Sequence, residues 1–418
     1  MHSFLRDLGL LRDRRFALLL SARTISMLGS AFAPVALAFG VLNLPGATAS
    51  TLSAVLAAEA LPMIAFMLVG GVIADRLPRQ RVMMAGELLM AAGFFALGVM
   101  LLTGWTPMPA LISAAALAGV ATAVTFPALT GIIPEVVPPE RLQTGNALLG
   151  LGANASRVAG AVLGGGTVVL VGGGWALITS GAMFSVAGVL IAMLRLAPGD
   201  RSRGEAHSVL ADLRDGWREF SSRQWIWVVV AQFSLLVMAI QAGHGVLGPL
   251  LAKESLGGPL AWSGFLAGEA VGTIVGVLVS LRVRPRRPIL VGVLLCFPAA
   301  LPYLLLGLDA PLWAIVGGAF VLGVCFDVFG VLWQTTMQRE IPAESLSRVS
   351  SYDLLGSLMF GPIGLLLAGP AAGWFGTRES LLGCAVIVVI STLAALLSPG
   401  VRNLRAPEPR ATAHADLK

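Results

Sequence analysis

The chain holds 418 residues, of which 56% are hydrophobic and only 12% charged, with a formal net charge of +6. Soluble domains carry roughly a quarter charged residues, so this composition excludes an ordinary globule and points to an all-α integral membrane protein. The bases sit in short segments at the ends of long apolar runs, a placement that speaks for membrane topology and contact with anionic lipid and against nucleic acid.

Cutting the apolar runs at charges, prolines and glycine-rich turns predicts twelve crossings, each near the ~20 residues a bilayer core requires. They fall at 16–41, 51–74, 82–102, 109–133, 144–171, 175–196, 225–248, 262–281, 289–308, 311–334, 350–371 and 380–399. The lead-in MHSFLRDLGLLRDRR mixes charges with short apolar pieces and has no small-residue cleavage site, so it does not read as a signal peptide. Between spans 2 and 3 the stretch Gly70 to Arg81, GGVIADRLPRQR, predicts a loop that meets water with Asp75, Arg76, Arg79 and Arg81, and with Glu87 just beyond.

Of the 28 Lys and Arg, 24 fall on the side of that loop and two, Lys253 and Arg378, on the other, while Arg23 and Arg157 lie inside spans. The inside-positive rule then places the loop and both termini in the cytoplasm of a cell-membrane protein. Between spans 6 and 7, Ser208 to Phe220 sets Leu210, Leu213, Trp217 and Phe220 opposite Asp212, Arg214, Asp215 and Arg218. That pattern predicts a connecting helix on the cytoplasmic membrane surface. The organisation expected is a six-helix bundle over 1–196, a linker over 197–224, a second bundle over 225–400 and a disordered tail over 401–418. Cys296, Cys325 and Cys384 fall within spans without disulfide or metal spacing and read as packing residues.

A shift of 204 residues lays Pro138-Pro139-Glu140-Arg141-Leu142 on Pro342-Ala343-Glu344-Ser345-Leu346, and Gly160, Gly164 and Gly165 on Gly364, Ala368 and Gly369. A shift of 205 lays Gly71 on Gly276 and Arg81 on Arg286. The chain therefore reads as two halves related by a repeat.

The loop resembles the signature between the second and third helices of major facilitator superfamily transporters, Gly-x-Leu-Ala-Asp-Arg-x-Gly-Arg-Lys/Arg-x. Gly71, Ile73, Ala74, Asp75, Arg76, Arg79 and Arg81 stand at or near the matching places, and Pro78 and Gln80 depart from it. Span 5 and its approach resemble the macrolide-efflux and enterobactin-exporter branch through Pro127-Ala128, Pro-Glu-x-Val-Pro, Asn-Ala-Leu, and Arg157, Gly160, Ala161, Gly164 and Gly165, with Ala161 in place of a proline. The resemblance implies two six-helix halves of the major facilitator fold and secondary transport by alternating access, with proton-coupled efflux of a lipophilic drug-like or natural-product compound. It also implies a cytoplasmic gate, in which Asp75 faces the start of span 11 near Arg348, with Arg76, Arg79 and Arg81 beside it. Span 4 has no arginine where many drug/proton antiporters carry one, so their proton route does not transfer.

An ionisable residue inside a span is costly enough to be a functional candidate. Glu59 and Glu269 fall in the outer half of the membrane and Arg157 near the middle of span 5. A carboxyl at that depth can exchange a proton as access alternates, and Glu59 with Arg157 is the preferred coupling pair, with Glu269 and Asp327 as further candidates. The alternative for each acid is a structural ion pair or a watery vestibule. Arg23 and Asp327 could pair across the halves as a gate, and a local pairing of Arg23 with Glu87 is equally open. A chamber lined by spans 1, 4, 7 and 10, as the family plan implies, would present Ser26, Met27, Phe32, Thr125, Phe126, Gln232, Met238, Gln241, His244, Phe326 and Trp333. Such a mixture suits a bulky amphipathic compound, although methionine and phenylalanine at helical spacing also serve simple packing.

The only lysines are Lys253 and Lys418, and neither follows a phosphate-binding glycine loop, so the sequence offers no nucleotide site. The expected partners are protons, a small molecule and lipid, with no cofactor, no metal and a monomeric chain. Import of a small metabolite is the rival function. A membrane-embedded enzyme would need His, Asp or Cys clustered at one depth, and the spans hold a single histidine, His244.

Overall fold

Among the described residues of the computed structural model, 8–138, 141–194 and 209–406, every regular element is helical. Hydrocarbon cannot satisfy backbone N–H and C=O groups, so a spanning chain bonds them within each helix. Eleven helical runs are long and apolar enough to cross a bilayer. The longest, Leu142–Ala192, has 51 residues and would extend about 75 Å if straight, more than twice a hydrocarbon core. It breaks at Gly172, where φ is 86° and ψ 164°, a conformation open to glycine alone. Residues 142–171 and 173–192 are therefore spans 5 and 6, and the crossings number twelve.

The remaining spans run Arg14–Leu42, Ala49–Arg76, Arg79–Thr103 and Met108–Val136 in the first half, and Gln224–Leu256, Pro259–Ser280, Pro288–Gly307, Leu312–Glu340, Arg348–Phe375 and Thr377–Leu397 in the second. Asp13 caps span 1 by accepting the Arg15 N–H at 2.8 Å, and Thr48 with Thr51 forms a capping box on span 2.

Three expectations are corrected. The charged loop is short, because span 2 continues to Arg76 and span 3 starts at Arg79, leaving Leu77 and Pro78 as the turn. Glu87 is consequently two helical turns inside span 3 and only 2% exposed. The tail is ordered as far as Ala406: Pro399–Asn403 forms a short helix, Val401 is fully buried, and the Ala406 N–H donates to the Arg286 carbonyl at 2.8 Å. Beyond that point the predicted tail lies outside the described residues.

Several spans depart from α geometry where the sequence demands it. Span 7 contains π turns at Gly243–Leu247 and Ala252–Leu256. Span 9 tightens to a 3₁₀ turn at Phe297–Ala300, which contains Pro298 and precedes Pro302, prolines that lack N–H donors for the α-helical pattern. Span 11 breaks into Ala343–Leu358 and Gly361–Phe375 just before Pro362. The linker helix, Val209–Ser222, docks on the first piece of span 11 through Trp217, Phe220 and Tyr352, whose ring centroids lie 5.7 to 5.9 Å apart.

Glycines set the distances between helices. A methyl on Gly160 would stand 2.5 Å from the Ala31 Cβ of span 1, and one on Gly364 would stand 2.0 Å from the Met238 carbonyl of span 7. The next turn of each helix crosses to the other half. Gly165 abuts Ser263 of span 8, and Gly369 would place a methyl 2.6 Å from the Ser50 Cα of span 2. The predicted packing face thus has two sides in each half, one local and one bridging.

The repeat is also visible in spans 2 and 8, at a different register from the one expected. Span 2 begins at Ala49 and span 8 at Pro259, so Glu59 and Glu269 are each the eleventh residue. The carbonyl of each meets a glycine, Gly119 in span 4 and Gly323 in span 10. The starts of spans 1 and 7, Arg14 and Gln224, carry the same offset as those of spans 2 and 8.

All the bridging contacts named lie at the end away from Leu77-Pro78. There Lys253 Nζ also donates to the Leu42 carbonyl at the last turn of span 1, where a helix presents partial negative charge. The turns of the first half at this end (43–48, 104–107 and 172) hold no ionisable residue, whereas the turns and adjoining helix ends of the second half hold Lys253, Glu254, Asp309, Arg378 and Glu379.

Because an added methyl at Gly165 or Gly369 collides only while the two halves touch here, it penalises this state selectively. Overpacking costs ~1–3 kcal/mol, so Gly369→Ala and Gly165→Ala should each move the two-state ratio roughly 5- to 150-fold towards opening at this end. Lys253→Met should act in the same direction more weakly, by about 0.3–1 kcal/mol. Distances between spin labels at Asn43 and Trp374 report the change, and an unaltered distribution in both glycine variants would show that these contacts do not govern the state.

Candidate functional site

With the halves joined at one end, a cavity of about 520 Å³ opens between them towards the other. Span 5 contributes Arg157, span 8 contributes Glu269 and Thr273, and span 10 contributes Phe326, Asp327, Gly330, Gln334 and Gln338. Arg157 is exposed to this space and acts electrostatically on Asp327. It is therefore Arg157, rather than Arg23, that faces Asp327 across the halves. Arg23 instead lies within electrostatic range of Glu87, the local alternative. Glu87 accepts a hydrogen bond from Ser26 Oγ at 2.9 Å, and its second oxygen has no partner among the described residues.

Glu269 forms the inner wall of the cavity and also reaches behind it. Its Oε2 lies 3.9 Å from His244 Nδ1. The π turn presents His244 to an aromatic nest of Phe265, Tyr303 and Trp262, with ring centroids at 5.1, 5.7 and 6.1 Å. Gly243 allows the Tyr303 ring to close on the turn. Inside the nest, His244 Nε2 and Tyr303 Oη are enclosed without hydrogen-bond partners among the described residues. An acid at a cavity wall with a histidine behind it is suited to passing a proton between open and enclosed space.

Glu59 occupies the equivalent place in the first half, but no hydrogen bond or ion pair reaches it, and none joins it to Arg157, among the described residues. The other expected residues divide between packing and cavity. Phe32 packs against Gly164, Thr125 against Gly86, and Gln232 donates to Thr392 Oγ1 of span 12 at 3.2 Å; all three are buried. Met238 and Gln241 back onto Gly364 and Gly361 of span 11, and Met27 is half-buried. Phe326 and Trp333 line cavities.

At the charged turn, Arg79 pairs with Glu135 at 3.0 Å within the first half, a half-exposed contact that contributes little stability. Gln80, the departure from the basic pattern, donates to the Ile191 carbonyl at 2.9 Å and so caps the end of span 6. Arg81 is exposed, and Arg348 lies against Gly216 of the linker helix. The side chains of Asp75, Arg76 and Phe126 fall outside the described residues.

Sequence reasoning missed Asp353. It sits in the first piece of span 11, accepts hydrogen bonds from Trp333 Nε1 at 3.0 Å and Ser357 Oγ at 3.3 Å, and borders a second cavity of about 220 Å³. Its spacing of four residues from Ser357 was the available signal, hidden by the polar run Arg348 to Ser351 that reads as a wet helix start.

The relatives of the chain agree with this architecture. Multidrug efflux pump Tap of Mycolicibacterium fortuitum is 27% identical over 418 residues, covering 93% of this chain and 96% of its own. Macrolide efflux protein A of Streptococcus pyogenes is 24% identical over 399 residues, covering 90% and 95%. Among solved structures, the nucleoside transporter NupG superposes with a TM-score of 0.74 at 14% identity, covering 92% of this chain and 98% of that one. A bacterial homolog to the human lysosomal transporter Spinster, inward-facing and unoccupied, gives 0.71 at 17% identity, covering 93% and 97%. At such identities these structures speak for the fold. Residues 16–358 match the Major Facilitator Superfamily, and with twelve spans in two repeated halves around a central cavity, the chain belongs to that family of membrane transporters.

Proposed function

We propose that this transporter exports a lipophilic compound from the cytoplasm across the cell membrane, driven by protons that act at Glu269. The observation that carries the reading is the cavity shared by Arg157, Asp327 and Glu269, open at one end of the bundle and backed by the glycine joints at the other. The inside-positive rule, applied to the sequence, in which 24 of the 28 bases fall on the side of the Leu77-Pro78 turn, supports a cytoplasmic open end and cytoplasmic termini. The molecule described here is then in its inward-open state, ready to load from the cytoplasm or the inner leaflet. The names of the relatives, an efflux pump and a macrolide efflux protein, favour export.

In this cycle the substrate enters beside Phe326, where an aromatic wall and a few amides suit an amphipathic compound. Rocking about the joints then closes the cytoplasmic end, bringing the end of span 2 and Asp75 towards the start of span 11. A proton arriving from outside neutralises Glu269, weakens its hold on His244 and alters the charge facing Arg157. Its release to the cytoplasm restores the pair. One chain encloses the whole path, so a monomer suffices.

Cells lacking their own efflux pumps and expressing the chain should accumulate less rhodamine 6G and erythromycin, and a protonophore should erase the difference. Higher accumulation would instead identify an importer. Glu269→Gln should lower gradient-driven efflux by roughly tenfold or more, a barrier change of about 1.4 kcal/mol, while substrate binding persists and Glu59→Gln remains active. The reverse pattern moves the coupling acid to the first half. Orientation is checked with single cysteines at the exposed positions Asn43 and Ser221 in a background without Cys296, Cys325 and Cys384. The two should label from opposite faces, Asn43 from outside, and labelling of both from one face would overturn the topology.

A further inference from the structure

We propose that the second cavity, enclosed by spans 7, 10 and 11, is a recognition site for the ammonium head of a lipophilic amine, held between Asp353 and a ladder of aromatic rings. The proposal rests on the transporter reading above and names the chemical class of its substrate.

Asp353 is an acid placed inside a span, where an ionised carboxylate needs compensation. The two groups that donate to it, Trp333 Nε1 and Ser357 Oγ, are neutral and engage one oxygen each. Among the described residues no cationic side chain lies within ion-pair distance of it. A carboxylate has about four acceptor sites, so room for a cation's donors remains. The acids of the larger cavity differ in this respect, because Asp327 and Glu269 already share that space with Arg157. A positive ligand would therefore gain most beside Asp353 and be repelled from the Arg157 side.

The walls are suited to the same charge. Phe233 lies 5.3 Å from both Phe326 and Phe329, and Phe329 lies 6.2 Å from Trp333, which rests edge-on against Trp225 at 5.4 Å. Aromatic faces attract a cation within ~6 Å of the ring centroid, most strongly when alkylammonium groups are desolvated. The cavity of about 220 Å³ has the volume of roughly seven waters, enough for a small alkylammonium head and too little for a whole drug-sized molecule. Phe326, Gly330 and Gln334 line both cavities, so the apolar body of the compound continues into the larger one. An anion of the same shape would meet Asp353 unfavourably, and an uncharged compound would leave the carboxylate as it is.

The test uses the purified full chain and radiolabelled benzyltrimethylammonium in equilibrium dialysis. Saturable binding is expected, and benzenesulfonate, with the same ring and the opposite charge, should not compete. Asp353→Asn should weaken binding by roughly tenfold or more, Asp353→Glu should retain most of it, and Trp333→Leu should weaken it where Trp333→Phe does so less. Asp309→Asn, an acid-to-amide change at the far end, should leave affinity unaltered, and elution profile with thermal midpoint verifies that each variant is folded. The proposal is overturned if the unmodified chain shows no saturable binding, if benzenesulfonate competes equally, if folded Asp353→Asn binds as before, or if binding fails in Asp327→Asn while surviving in Asp353→Asn. Because dialysis needs neither gradient nor direction, binding that persists in a chain unable to lower cellular accumulation would refute export alone.

Discussion

The structure depends on close contact at glycines that cross between its halves. Gly165 lets span 5 close on Ser263 of span 8, and Gly369 lets span 11 close on the Ser50 backbone and Ser53 of span 2. In a bilayer, lipid tails are as apolar as leucine, so helices are held by close packing rather than by the expulsion of water. A contact of this kind is also easily broken and remade, since the side chains facing the glycines, Ser263 and Ser53, are small. The same helices use the neighbouring glycines, Gly160 and Gly364, to grip partners in their own half. One face keeps each bundle rigid while the next turn decides which end of the molecule is shut.

Charge is distributed in relation to that joint. Each acid that sequence reading placed inside the membrane has a different neighbour: Ser26 for Glu87, His244 for Glu269, the opposing Arg157 for Asp327 and an unpaired setting for Glu59. Glu59 and Glu269 descend from equivalent positions of the repeat, yet only Glu269 gained a histidine partner and a place on the cavity wall. The π turn explains part of the divergence, because the extra residue it accommodates lets Gly243 admit Tyr303 and aims His244 at span 8.

The number of spans and their places were legible because apolar length is a strong signal, and the break at Gly172 was announced by three consecutive glycines. Partnerships were less accessible. Depth along a helix can be counted, but the direction in which Arg157 or Arg23 points depends on how each helix is rotated by its neighbours, which a single chain does not display. Sequence alone reads Glu87 as wetted near the interface, but Pro78 begins the next helix at once, so that a residue six positions past the last loop arginine, Arg81, is already enclosed. Asp353 escaped because a polar helix start and a buried acid look alike in sequence.

The uncharged turns at one end of the first bundle have a consequence for biogenesis. Moving a lysine, arginine or aspartate through the bilayer centre costs about 2.5–3.5 kcal/mol on insertion scales. No ionisable residue lies in 43–48, 104–107 or 172, so each hairpin of the first bundle can enter the membrane tip-first without carrying a charge across it. The second bundle must deliver Lys253, Glu254, Asp309, Arg378 and Glu379 to the far face. It does so when the first is already in place, with the carbonyl of Leu42 waiting to receive Lys253. The order of synthesis and the order of energetic difficulty therefore coincide.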